Sequence, residues 1–533
     1  MKLKYIRTIS LAGLILALSV TSCKKFTELN PQDKLSDLTA FTSKQNIELA
    51  LNGVYWQAAV GRYDPGTGLT TGRGYPFGGA SIEQGEMRGE DMINLQAFYQ
   101  FSYEGTYTPT TANNVNHWEQ LYALINQANV FIAGVENAVS KGVLTQAEAD
   151  AYKGEALFLR ALAHHELVIH FSKPYADNKG ANMGIPYKTK AVTGSPDVEE
   201  GISQQRGTVA EVYKNLIEDL NNAELFLGPT KADKALSISK ATKGAAIALK
   251  TRIYLHMEDY DNVIAEGKKM GTDVATTAFS SPIGGYKLET DVETPFTSQS
   301  NNTESVFSIA QTQAQNGGVN GAIASMFAAG INKGRDLIGT SPNLYNAAWW
   351  VPNDARKLKL HLIQKAQGYN LVYSYKYRAI STLESWNPII RYSEVLLNVA
   401  EAYAYKQNNT QAFALLNAVR NRAVPVADQY KTAPADMKLA IYQERRIEFT
   451  AEGKRWADIH RLALNSYGEK GVPAKILYLK QIVPGGLDNY KPGVYITPDR
   501  AAIPYADKAF LWPLPQSEVA SNPNLQQNPG YGD

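Results

Sequence analysis

The stretch closest to a metal motif is His165-Glu166-Leu167-Val168-Ile169-His170. A zincin helix holds its ion with HExxH, where imidazoles at i and i+4 share one face. Here the spacing is i and i+5, roughly 140° around a helix, and His164 is no better placed. These histidines read as packing and capping groups, so no metal is expected. The segment "ERRIEFTAEGKRWADIHR" (444–461) is dense in both signs. Paired carboxylates do acid–base work when they flank a reacting bond. Glu444 and Glu448 beside Arg445, Arg446 and Arg455 read more simply as ion pairs locking helices together, with Glu452-Gly453 interrupting the helix. No nucleophile elbow, phosphate-binding loop or cysteine cluster appears. No catalytic activity and no cofactor are expected.

Aromatic content offers a different chemistry. The chain holds 31 Tyr, 16 Phe and 7 Trp, about 10% of its residues. Five of the ten residues from Phe98 to Tyr107 are aromatic. Tyr99, Phe101 and Tyr103 alternate, and an extended chain would show all three on one side. Trp349 and Trp350 lie in "NAAWWVPND", a loop setting. Rings with polar tips bury area while offering hydrogen bonds, which suits a sugar with one apolar face and a polar rim. The plainer alternative is that the rings pack on one another or on a partner protein.

The elements that must position these residues are mainly helical. Apolar periodicity predicts helices over 41–59, 117–139, 145–171, 208–227 and 239–270, with Thr145 and Ser239 as N-caps. Glu148 completes a capping box with Thr145. Within 239–270, Ala245, Ala246 and Ala248 lie on a first helix, Asp259-Tyr260-Asp261 turns the chain, and Ala265 lies on a second. Residues 391–423 repeat the plan with Ala400 and Tyr403, a polar turn at 407–410, then Ala412 and Leu415. Alanines where helices cross are the mark of tetratricopeptide-like hairpins, which bury their apolar faces only by stacking. Between 271 and 388, Gly, Ser, Thr, Asn and Pro interrupt short β-prone runs such as "ESVFSIAQTQ" and "NLVYSYKYRAI". The end, 465–533, is irregular and proline-rich. The expected fold is therefore mainly α: tetratricopeptide-like hairpins over about 41–270 and 389–461, forming a superhelical scaffold. Long loops and small β-sheets, chiefly in a loop-rich insert at 271–388, carry the ligand site.

Cys23 is the only cysteine in 533 residues. Upstream, Lys2, Lys4 and Arg7 precede the apolar run Ile9–Val20, the pattern of a secretory signal over 1–22. The run is short of the ~20 residues a spanning helix needs. Val20-Thr21-Ser22-Cys23 resembles a bacterial lipobox, so Cys23 is the expected lipidation site and 23–40 a tether. Without its three signal cations the chain keeps 50 basic against 51 acidic residues, and no basic tract suggests nucleic acid.

The ending "FLWPLPQSEVASNPNLQQNPGYGD" resembles that of the SusD/RagB-like family, nutrient-binding lipoproteins of the Bacteroidota outer membrane. "CKKFTELNPQDKLSD", "FTSKQNIELALNGVY", "HWEQLYALINQAN", "GEALFLRALAHHELVIHF", "RYSEVLLNVAEAYA", "LLNAVRNRA" and "ERRIEFTAEGKRWADIHR" extend the resemblance over nearly the whole chain. It implies four tetratricopeptide-like units in one domain over 41–533 and no catalysis. It also implies a lipid anchor in the outer membrane, facing outward, and delivery of oligosaccharide to a SusC-like, TonB-dependent transporter. Peptide capture on the same scaffold is the alternative. Lys24 and Lys25 follow Cys23 where an acidic cluster would signal surface export. In starch-binding members an aromatic arc comes from zones corresponding to about 75–116 and 280–386. The candidate ligand residues are thus Phe98, Tyr99, Tyr103, Tyr107, Trp349 and Trp350, with Asn94 as a polar partner.

Overall fold

Short polar side chains set the ends of the helices. Ser43 accepts from the Asn46 amide and opens α1 (Lys44–Val60). A buried helix, α2 (Gly79–Met87), and a short one, α3 (Gln100–Glu104), precede the long α4 (Ala112–Ser140). Reciprocal Thr–Glu capping boxes, Thr145 with Glu148 and Thr208 with Glu211, open α5 (Gln146–Phe171) and α6 (Val209–Phe226). The next boundary departs from expectation. Ser239 ends a short helix, α7 (Lys234–Ser239), and Thr242 caps α8 (Lys243–His256). Asp259 caps α9 (Tyr260–Lys269), as the turn there suggests. Late in the chain come α10 (Tyr392–Tyr405), α11 (Asn409–Asn421), α12 (Met437–Glu448) and α13 (Arg455–Arg461). This computed structural model describes residues 39–532, apart from 65–68, 71, 275, 277 and 367–368. Cys23, the signal segment and most of the tether lie outside the described residues.

The helices pack as consecutive hairpins: α4 on α5, α5 on α6, α8 on α9 and α10 on α11, with α9 joining α10. Ala245, Ala246, Ala248, Ala400 and Ala412 are fully buried where these helices meet. Ala265 is not; it faces solvent. The close approach falls two residues later, at Gly267, where an added Cβ would lie 2.4 Å from Val399 Cγ2 of α10. One connected apolar cluster runs through the hairpins from Ile47 to Leu525. About half the chain is helical and the sheets are small, as the sequence predicts. Those that frame the candidate site pair β1 (Met92–Asn94) with β3 (Ile338–Thr340), and β2 (Ser305–Ile309) with β6 (Asn387–Arg391). A hairpin of β4 (His361–Ala366) and β5 (Tyr369–Ser374) forms a separate two-stranded sheet that packs beside β3. Among the described residues, no helix is long and apolar enough to cross a membrane.

Candidate functional site

The acidic residues of 444–461 are consumed by the scaffold. Glu444 and Glu448 lie one turn apart on α12 and face one side, and Glu452 follows in the turn after the helix. Arg356 reaches Glu444 at 2.5 Å and Glu448 at 2.9 Å. Arg391 reaches Glu448 and Glu452, both at 2.7 Å, and also pairs with Glu304. Arg422 meets Glu448 at 2.5 Å, and Lys376 meets Glu452 at 2.6 Å. Arg445 holds Asp458, while Arg446 and Arg455 hold Glu90. Burial pushes the Glu448 carboxyl up, but Arg422, Arg391 and Arg356 outweigh it and hold the group well below the usual range. Carboxylates fixed as anions between guanidinium groups have no proton to donate or exchange near neutral pH.

In the histidine cluster His170 is similarly engaged, while both ring nitrogens of His117 are buried without a hydrogen bond. Glu166 Oε1 lies 3.2 Å from His170 Nε2 and 3.7 Å from His117 Nε2, a triad with the spacing of metal ligands. His165 takes no part in it. Arg88 lies 3.0 Å from His170 Nδ1. Arginine only donates, so Nδ1 accepts and the ring proton is on Nε2, directed at Glu166. A metal-bound imidazole needs the reverse, with its second nitrogen donating outward. The arrangement therefore does not suit an ion. It works as a joint instead: the Arg88 guanidinium lies 3.3 Å from the Trp456 ring centre, and Trp512 stacks on His170 while donating its amide to the His170 carbonyl.

Of the aromatic candidates, four are core residues, Tyr99, Tyr103, Tyr107 and Trp350. Tyr99 and Trp350 are almost wholly enclosed; Tyr107 is buried with its hydroxyl on the Ala509 carbonyl and its ring edge-on to Trp512. Trp350 packs against Tyr345 and His361. Tyr99, Tyr107 and Trp350 show no ring face to solvent, so their place in a ligand arc is given up; Tyr103, equally buried, only borders a cleft. The alternation of Tyr99, Phe101 and Tyr103 fails for a local reason. Residues 97–104 are helical, which puts Tyr99 and Tyr103 together on the inner face and leaves Phe101 outside, 54% exposed. Phe98 is half-buried with the Arg335 guanidinium 5.3 Å from its ring, and Trp349 is half-buried beside Arg446.

Two candidates do come together. Asn94, at the end of β1, and Tyr103, on α3, line an open cleft of about 710 Å³. Its other wall is the π-helical turn Tyr478–Ile482, a helix type that recurs at functional sites. Tyr103 donates its hydroxyl to the Ile476 carbonyl at 2.8 Å and so ties the two walls together. The Asn94 Oδ1 is enclosed and without a hydrogen-bond partner, a group that a donor in the cleft would satisfy once the side chain turns outward. Gln96, Gln100 and Glu104 supply further polar atoms, while Leu479 and Val483 form an apolar lip.

A second groove, about 420 Å³, escaped sequence reasoning. It runs along the outer side of α1 past Asn52, Tyr55 and Trp56, with Lys240 beyond α7 and Thr312 and Gln315 beyond β2. One signal was available: adjacent residues point about 100° apart around a helix, so Tyr55 and Trp56 face different sides of α1. Tyr55 is buried and Trp56 half-buried.

Stacked helical hairpins carrying small sheets, with charged residues spent internally and mixed polar–apolar concavities on the surface, define a helical-repeat binding scaffold. Two family profiles match the chain: one described as "SusD family" over 359–531, and one as "Starch-binding associating with outer membrane" over 79–255. SusD-like protein P38 of Formosa agariphila is 25% identical over 585 residues, covering 99% of this chain and 100% of its own. A SusD superfamily protein from Bacteroides fragilis superposes with a TM-score of 0.72 at 26% identity, covering 91% of this chain and 99% of that one. A laminarin-binding SusD-like protein superposes with a TM-score of 0.66 at 20% identity, over 92% of this chain and all of its own. The chain is thus similar to the SusD/RagB-like family, by profile in two separate segments and by fold over nearly its whole length.

Proposed function

We infer that the protein is a non-catalytic lipoprotein of the outer membrane, anchored through Cys23. On this reading it captures an oligo- or polysaccharide and passes it to a SusC-like, TonB-dependent transporter. The observation that carries the reading is the Asn94–Tyr103 cleft. An orphaned buried acceptor and flanking amides beside apolar surface form the mixed lining that orients a ligand of alternating polarity. The match to a profile named for starch binding at the outer membrane, and the fold shared with a laminarin binder, support the ligand class. Affinity electrophoresis of the protein through starch, laminarin, fructan, mannan, xylan and pectin gels tests it. Retardation by one polymer, lost in an Asn94→Ala/Gln100→Ala double variant, is the expected result. Retardation that survives the double variant would keep glycan capture and remove the cleft.

A second reading rests on Leu479 and Val483, 79% and 45% exposed at the lip of the cleft. Apolar side chains there fit a peptide, the alternative cargo of this scaffold. Competition by peptides but not by sugars would establish it.

A further inference from the structure

The groove along α1 contains a cation without a counter-ion. Lys240 Nζ lies 3.8 Å from the Tyr55 ring centre and donates to Asn52 Oδ1 at 2.6 Å. Among the described residues no carboxylate comes within 4.0 Å of it. Glu155, on the far side of Tyr55, is already engaged by the Tyr55 hydroxyl at 2.6 Å and by Lys231 at 2.5 Å. Lys240 is half-buried, so water screens it less than an ordinary surface lysine. Burial lowers its pKa to about 8, with Glu155 opposing the shift and Lys231 adding to it. At neutral pH it remains charged, and an anion placed beside it would recover part of what desolvation costs.

The rest of the groove specifies what such an anion is attached to. Trp56 gives an aromatic wall, Asn52 and Gln315 give amides, and Ser239 and Thr312 give hydroxyls. Flat aromatic surface ringed by short polar groups matches a pyranose, with its apolar face and its rim of hydroxyls. We propose that this groove is a second, separate glycan subsite that selects an anionic pyranoside, a uronate or a sulfate ester, through Lys240, with Trp56 as the stacking face. Its carbohydrate character rests on the glycan reading above, while its location and its charge selectivity do not.

The test is isothermal titration of the full chain with trigalacturonate, with a sulfated carrageenan tetrasaccharide and with neutral laminaritriose. Lys240→Gln, Lys240→Arg, Trp56→Ala and Asn94→Ala are compared, each checked by thermal melting. At least one anionic probe should bind. Its affinity should fall tenfold or more in Lys240→Gln and in Trp56→Ala, stay within threefold in Lys240→Arg and within twofold in Asn94→Ala, and weaken as salt is raised. Binding of trigalacturonate alone identifies the carboxylate as the recognised group; binding of the sulfated probe alone identifies the ester. Failure of both anionic probes, or unchanged binding in folded Lys240→Gln, overturns the proposal. If a neutral glycan still binds in an Asn94-dependent way, that failure leaves the proposed function standing. Lys240-dependent anionic binding with no Asn94-dependent binding would instead support the groove and remove the cleft.

Discussion

Buried glutamates at two places in this protein are pushed in opposite directions. In the late helices, Glu394 on α10 and Glu448 on α12 are almost wholly enclosed. On α2, Glu83 and Glu86 are enclosed to the same degree. Burial raises Glu394, yet Arg252 and Lys454 overcome it and leave the group at about 2. Burial also raises Glu83 and Glu86, and there it prevails, pushing both to about 8. Neither oxygen of Glu83 makes a well-formed hydrogen bond, the Tyr99 hydroxyl and the Arg335 charge offsetting burial only in part, and Glu86 finds a partner only on one side, the Gly453 amide at 2.7 Å. Burial is equal, so partners make the difference. The difference also maps onto the fold: α10 and α12 hold hairpins together, whereas α2 packs directly on β1 and α3, which line the cleft. Unsatisfied buried groups cluster at functional sites, where pairing would consume the atoms a ligand needs.

The largest effect should come from breaking the paired side. Glu448→Ala leaves Arg356, Arg391 and Arg422 short of a shared carboxylate in a dry interior. Removing one partner of a buried pair typically costs about 3–5 kcal/mol. Urea unfolding followed by far-ultraviolet circular dichroism should show an unfolding free energy lowered by that amount, or no folded baseline at all. A variant of near wild-type stability would mean that the network is redundant.

Next in size is the unpaired side, where the change should stabilise. In the unfolded chain Glu83 ionises near its ordinary value of 4.5, and in the folded protein near 8. The folded state therefore holds a proton that the unfolded state has released, and stability falls as pH rises from about 4.5 to about 8. Glu83→Gln removes that slope. Its advantage over wild type should grow by about 1.4 kcal/mol per pH unit across the window, reaching roughly 3 kcal/mol near pH 7. Thermal melts at pH 5 and pH 7 check this. An advantage that does not grow with pH would show that Glu83 is ionised in the folded state.

This contrast also explains which parts of the molecule were legible in its sequence. Caps are local, so Thr145 with Glu148 and the Asp259 turn were readable and stand. Ser239 lost to Thr242 because both are good caps three residues apart, and only packing chose between them. Ala265 lost to Gly267 because the crossing angle, not composition, decides which small residue meets the facing helix. The cleft was half readable: Asn94 and Tyr103 were found, but their opposite wall begins at Ile476, 373 residues from Tyr103. No local pattern encodes such a meeting. Aromatic richness misled in the same region, because a tyrosine that fills the core and one that offers its face to a sugar look alike until neighbours are known.

Asn94→Ala should separate ligand-facing groups from scaffold more finely. Its Oδ1 makes no hydrogen bond, so truncation removes no such bond and should change the unfolding free energy by less than ~0.5 kcal/mol. Affinity for whichever polymer retards the protein should nevertheless fall about tenfold, the equivalent of ~1.4 kcal/mol. A large loss of stability with no loss of affinity would make Asn94 a structural residue and close the comparison against the cleft.

The smallest effect belongs to a pair that has a partner but no burial. Lys190 and Glu200 form a direct ion pair with side chains 76% and 62% exposed. If pairing alone separated scaffold from site, breaking it would resemble breaking Glu448. Water and salt screen both charges, however, and two long side chains must be ordered to hold the contact. Glu200→Gln should therefore change stability by less than ~0.5 kcal/mol, and that small change should vanish at 0.5 M salt. Urea titrations at low and high salt would show it. A loss of several kcal/mol here would mean that partners matter regardless of burial, and the division drawn from Glu83 and Glu448 would fail.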